Sequence, residues 1–245
     1  MRLIFVTGSG TEAGKTIVAA SVAACGRHQR VAVIKPVQTG VSAGELGDAQ
    51  TVAALTGLRD VHELVSFEEP LAPGTAARRL GVPGPSVPEL ADAIWALRDR
   101  DLLIVEGAGG ALVHLNARGD TILDLAVDLQ SRLTDQDASA LLLTASCSLG
   151  TLHSATATAQ AIRARGLDVD HLVISDWPGS APDLAQQENL DDLPRYTGVP
   201  ISGVLPLGMG SLDVTQFERQ ARAGLAPALG GVFNTADFSR LASRP

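Results

Sequence analysis

Short apolar runs alternate with stretches of helical period along the 245-residue chain. Six runs predict buried strands: Leu3 to Val6, Val31 to Ile34, Leu102 to Val105, Ala140 to Ala145, His171 to Ser175 and Val199 to Leu205. They are short and mostly apolar, as strands covered on both faces are. Between them the pattern predicts helices over 17–25, 48–55, 76–80, 89–98, 122–129, 153–165 and 213–225. In 89–98 the apolar residues Leu90, Ala93, Ile94 and Leu97 fall on one helical face. Gln38 to Asp48 is polar and glycine-rich and reads as loop; 66–88 holds much of the proline and reads as an irregular excursion. Residues 176–198, rich in Asp, Pro and Gln, read as a long surface loop with a short helix, and the tail as a short extended piece. The order of elements implies an α/β fold with a mainly parallel central sheet flanked by helices, in one domain over 1–245.

Composition narrows the class. Hydrophobic residues make up 45% and aromatics only 3%, so the core must be built mainly from Val, Leu, Ile and Ala. The net charge of −8 and the absence of a dense basic run argue against a nucleic-acid partner. The same acidic balance disfavours anionic membranes. The first apolar run is too short for a signal-peptide core or a membrane span. Cys25 and Cys147 belong to no CxxC or metal cluster, so they read as buried thiols in a reducing, cytoplasmic setting.

The sharpest chemical signal is Gly8-Ser9-Gly10-Thr11-Glu12-Ala13-Gly14-Lys15-Thr16. A strand precedes it and a helix follows. It is a variant phosphate loop, with five rather than four residues between its first glycine and Gly-Lys-Thr. The glycines let backbone N–H groups converge, and the helix start adds its own free donors. Lys15 would meet the β and γ phosphates, and Thr16 would offer a hydroxyl to magnesium. The fold expected is therefore of the P-loop NTPase kind.

Only two of the 19 basic residues are lysines, Lys15 and Lys35. Both fall at the C-terminal ends of predicted strands, read as adjacent, at the edge where open α/β sheets bind ligands. A compact cation there suits a transferring phosphoryl group. Glu106 emerges at the same edge after Leu102 to Val105, and Gly107-Ala108-Gly109-Gly110 lets the chain pass close to a ligand. Asp48, at a helix start, is either a metal-site residue or an N-cap. Asp99 and Asp101 read as turn charges at the opposite end, and Asp124 and Asp128 as surface or intersubunit groups. His153 opens a helix whose backbone donors could receive an anion.

Taken together, TGSGTEAGKT at 7–16, KPVQTG at 35–40, Asp48, VEGAGG at 105–110 and SLGTLH at 148–153 resemble the dethiobiotin synthetase family, in order and spacing over essentially the whole chain. The resemblance implies a cytosolic homodimer that uses ATP and magnesium to convert 7,8-diaminopelargonic acid and carbon dioxide to dethiobiotin, a step of biotin synthesis. An amine carbamate attacks the γ-phosphoryl, and the second amine then closes the cyclic urea and expels phosphate.

The same resemblance implies the residue roles. Glu12, Ala13, Gly14, Lys15 and Thr16 contact the nucleotide phosphates, and Thr16, Asp48 and Glu106 hold magnesium. Lys35 and Lys15 are the catalytic cations. Thr11 and Thr39 face the diamine and carbamate, and Gly107, Ala108 and Gly109 continue the wall. Leu149, Gly150, Thr151, Leu152 and His153 form a helix start that binds the substrate's far carboxylate across the dimer. Ser175, Asp176, Leu205, Pro206 and Leu207 fall at the base pocket. Two positions depart from the family pattern: His153 replaces an asparagine, and Ser175-Asp176 replaces one that reads the adenine edge, which leaves room for triphosphates other than ATP. Two rivals stand beside this reading. A dimeric P-loop ATPase switch commonly has a lysine where this chain has Gly10, and a corrinoid-type amide synthetase usually adds a glutaminase domain.

Overall fold

The computed structural model describes residues 1–42, 44–179, 182–235 and 238. Seven strands form one sheet: β1 (Arg2–Gly8), β2 (Val31–Thr39), β3 (Val61–Phe67), β4 (Leu102–Glu106), β5 (Ala138–Ala145), β6 (His171–Trp177) and β7 (Ile201–Pro206). Their spatial order is β3-β2-β4-β1-β5-β6-β7, and every pairing is parallel. The helices are α1 (Lys15–Cys25), α2 (Asp48–Thr56), α3 (Pro73–Arg79), α4 (Val87–Trp95), α5 (Ile122–Ser131), α6 (Thr151–Ala164), α7 (Leu184–Thr197) and α8 (Val214–Gly224). They divide between the two faces. One core layer joins α1, α2 and α8 to the sheet. The other joins α3, α4, α5, α6 and α7 to the opposite face. This is the arrangement that buried apolar strands require.

The structure corrects the sequence reading in four places. Lys35-Pro36 does not close β2, which runs on to Thr39. Pairing with β4 stops at Ile34, so the missing N–H of Pro36 faces no partner on that side. An unforeseen edge strand, β3, pairs with this extension. The strands leading to Lys15 and Lys35 are not adjacent, because β4 is inserted between β1 and β2. Finally, 184–197 is a helix of 14 residues rather than a loop with a short helix. It starts with a capping box at Asp183 and Gln186 and carries Pro194 inside. Asn189, Leu190, Leu193 and Thr197 are its buried residues. Most of the tail lies outside the described residues.

Candidate active site

Register explains why the charged residues meet. Val33 of β2 and Ile104 of β4 are partners, and both face the layer that holds α1 and α2. Two residues further along each strand are Lys35 and Glu106, so alternation brings them to the same face side by side. The start of α1 delivers Lys15 and Thr16 there, and the start of α2 delivers Asp48. Lys35, Glu106 and Lys15 are 3%, 1% and 7% exposed.

The ammonium of Lys35 donates to Glu106 Oε1 and to the Gly107 carbonyl, each at 2.9 Å, and pairs with Asp48. Thr16 Oγ1 donates to the same Glu106 oxygen at 2.9 Å. Lys15 Nζ donates to the Gly10 carbonyl at 3.1 Å. Burial pulls the Lys35 pKa down, but Glu106 and Asp48 outweigh it and the net shift is upward. Burial, reinforced by the charge of Lys35, lowers that of Lys15. Burial also raises Glu106 against the pull of Lys35. At Asp48 burial acts upward, but Lys35 prevails and the pKa falls. Two lysines facing two carboxylates leave the cluster without net charge.

A cavity of about 410 Å³ opens on this cluster. Its walls include Thr11, Glu12, Gly14, Lys15 and Thr16 from the loop before α1, together with Lys35, Thr39, Asp48, Glu106, Ala108 and Gly109. Glu12 holds a left-handed backbone (φ 61), the sole non-glycine residue to do so among those described. In the left-handed region a side chain costs on the order of 1 kcal/mol, strain of the kind found at ligand sites.

A second cavity, of about 350 Å³, adjoins the loop on its other flank. Ser9 to Ala13 form one wall, and Ser146, Ser148, Leu149, Gly150, Thr151 and Ser154 the other. The first turn of α6 opens here with no side-chain cap. Leu152 and His153 do not line this cavity, and His153 is exposed. Ser175 donates its hydroxyl to the Ala13 carbonyl at 2.7 Å. Asp176 accepts from the Cys147 N–H at 2.7 Å and from Ser146 Oγ at 2.8 Å. Leu205, Pro206 and Leu207 close β7 and line neither cavity; Leu205 is buried, Leu207 is 70% exposed, and the Leu207 N–H donates to the Trp177 carbonyl.

The two cysteines are buried, and burial pushes their thiols up to about 11 at Cys25 and about 12 at Cys147. Asp101 pairs with Arg30 at the far end of the sheet. Asp124 completes the capping box that Thr121 opens on α5 and pairs with Arg165, and Asp128 pairs with Arg132.

A family model described as an AAA domain matches residues 2–210. The ATP-dependent dethiobiotin synthetase BioD of Parafrankia sp. is 46% identical, with 98% of each chain covered. The protein of the same name from Saccharopolyspora erythraea is 50% identical over 94% of this chain and 98% of its own. The chain belongs to the dethiobiotin synthetase family. Among solved structures, a ParA family ATPase from Chlorobium tepidum TLS matches with TM-score 0.54 at 14% identity, covering 98% of both chains. That likeness is one of fold alone.

For this family member, sequence reasoning passed over two residues of the site. Gln38, 5% exposed, lines the first cavity and accepts the Asp48 N–H at 3.0 Å through its side-chain oxygen. Read as the start of a polar loop, Gln38 instead lies in β2. Glu63 of β3 accepts the Ala49 N–H at 3.2 Å, so it too holds the start of α2. With β3 unforeseen, nothing pointed to it.

Proposed function

We propose that the chain is an ATP-dependent dethiobiotin synthetase acting on 7,8-diaminopelargonic acid and carbon dioxide, as a cytoplasmic homodimer of one P-loop synthetase domain per chain. The observation that carries the reading is Lys35, a buried ammonium held by Glu106 and Asp48 at the wall of the cavity that Lys15 shares. A nucleotide-binding scaffold has no need of that second cation.

The loop N–H groups from Glu12 to Thr16 and the Lys15 ammonium hold the triphosphate. Thr11 and Thr39 face the diamine. The carbamate oxygen attacks the γ-phosphoryl while ADP leaves, and Lys35, at the cavity wall, offsets the repulsion between the two anions. The second amine then attacks the activated carbon; the ring closes and phosphate departs, aided by the proximity of the two amines. The α6 start and its hydroxyls receive the far carboxylate. Leu149, 88% exposed beside that start, supports a partner subunit covering it.

The donor set fits magnesium. Thr16, Asp48 and Glu106 supply hard oxygen ligands, and a magnesium site commonly takes one or two carboxylates and shares the rest with phosphate and water. The cluster's own charges cancel, so a triphosphate needs a further cation. Magnesium bound there supplies charge compensation to the β and γ phosphates.

The test is an assay of purified protein with the diamine, bicarbonate, magnesium and one nucleotide at a time. Cyclic urea and phosphate should appear in equal amounts. Sustained hydrolysis that ignores the diamine would instead favour an ATPase switch. The absence of a lysine at position 10 speaks against that reading. Among the described residues no helix is long and apolar enough to cross a membrane.

A further inference from the structure

Strand β6 ends beside two loops that each face a cavity. The ladder to β7 is irregular between Ile174 and Trp177, and there the consecutive residues Ser175 and Asp176 reach different loops. Ser175 is 7% exposed and lies under the phosphate loop. Its hydroxyl proton is committed to the Ala13 carbonyl at 2.7 Å. The next residue, Gly14, is left-handed (φ 75), and a Cβ there would collide with both Cβ and Oγ of Ser175. Loop and serine are thus in contact, with no room between them. With the Ala13 carbonyl turned to β6, the planar trans peptide turns the Gly14 N–H the opposite way. Gly14 lines the cavity.

Asp176 does the same for the other loop. One of its oxygens accepts the Cys147 N–H at 2.7 Å, and the other accepts Ser146 Oγ at 2.8 Å. Ser146 Oγ in turn accepts the Ser148 N–H at 3.0 Å. These bonds fix the turn that leads into the uncapped start of α6.

We propose that Ser175 and Asp176 are positioning residues, one setting the phosphate loop and the other the turn before α6, and that neither side chain reads the nucleotide base. The hydroxyl proton and one acceptor site on each carboxylate oxygen are already used inside the protein. Two neighbouring residues on one rigid strand therefore hold the nucleotide loop and the carboxylate-binding turn in fixed relation. This rests on the reading of the two cavities as nucleotide and diamine sites.

The experiment measures binding of ATP, CTP, GTP and inorganic tripolyphosphate, each with magnesium, by calorimetry. Ser175→Ala should weaken all four by the same factor, about fivefold, the worth of one neutral hydrogen bond. Ser175→Cys, close in size and a poor donor, should do the same. Asp176→Ala should leave tripolyphosphate affinity unchanged and raise KM for the diamine with kcat retained. A loss confined to one nucleotide with tripolyphosphate unaffected would overturn the proposal, as would unchanged binding of all four in both the alanine and cysteine variants. So would a change of nucleotide preference in Asp176→Ala. A protein that binds tripolyphosphate yet makes no cyclic urea would sink the functional reading and the Asp176 part with it, while the Ser175 part would still be decided by the four binding measurements.

Discussion

The two flanks of the phosphate loop are built from different chemistry. On the β2–β4 flank, buried full charges meet: Lys35 touches Glu106 and Asp48, with Thr16 on the same glutamate oxygen. On the β5–β6 flank the cavity wall is mostly hydroxyls and backbone; its charged residue, Glu12, is exposed and shared with the first cavity, and Asp176 is turned to the protein. Full charges in a low-dielectric site suit a group whose charge moves during reaction. Dipoles and hydroxyls suit an anion that is only held. On the proposed function, one loop then divides a reacting side from a gripping side.

The largest test of that division is Lys35→Ala. Turnover should fall about a hundredfold to a thousandfold, the usual worth of one electrostatic stabiliser. Because Glu106 is left buried and unpaired, unfolding stability should also fall by roughly 3 kcal/mol, read by denaturant titration. A variant with near-normal turnover would remove Lys35 from the reacting side.

Next is Asp48→Asn. The magnesium concentration for half-maximal rate should rise on the order of tenfold. Thermal stability should move little, since the Asp48 side chain is 34% exposed. An unchanged magnesium titration would exclude it from the metal site.

Thr151→Val tests the gripping side. Its hydroxyl is buried without a hydrogen-bond partner, so the isosteric change should be neutral or stabilising by up to about 1 kcal/mol. KM for the diamine should rise severalfold with kcat retained. A fall in kcat with KM unchanged would erase the distinction between the two flanks.

The smallest effect belongs to the opposite end of the sheet, away from both. Arg30 holds the Asp101 carboxyl at about 2, and bonds from Thr134 and the N-terminal amine hold Asp137 at about 2. Both values lie below the ordinary 3.8. The unfolded chain therefore binds more protons between about pH 4 and 2, and stability present above pH 4 is lost as pH falls through that window. Asp101→Asn should flatten that part of an acid-unfolding curve. An identical curve would show that the pair contributes nothing.

The central chemistry was legible because its signals were local. A glycine-rich loop between strand and helix, two lone lysines and an acid ending an apolar run all survive in one dimension. The division of helices between faces followed from strands that are apolar on both sides. What could not be read was relational. Strand order hides the insertion of β4, so Lys15 and Lys35 seemed to share neighbouring strands when Glu106 stands between them. The β3 sequence VHELVSF is only half-buried, and next to a proline-rich stretch its strand pairing with β2 left little trace. In α7 the run LAQQENLDDLPRYT is polar on most sides and interrupted by Pro194, so the apolar stripe is thin. Ser175 and Asp176 could be placed near the nucleotide from the family pattern, but the direction of their hydrogen bonds needed coordinates.

The inserted strand also sets a timetable for synthesis. A chain that emerges N-terminus first exposes its phosphate loop early, yet β1 must wait for Leu102–Glu106 and Ala138–Ala145 before either of its neighbours exists. Until Glu106 arrives, Lys35 has lost water without gaining its buried counter-ion or cannot be buried at all. Pairings this distant in sequence close slowly and keep apolar edges open meanwhile. Ribosome-stalled chains shorter than about 145 residues should therefore remain protease-sensitive and fail to retain nucleotide, so a newborn protein gains its ligand only after more than half of its length is made.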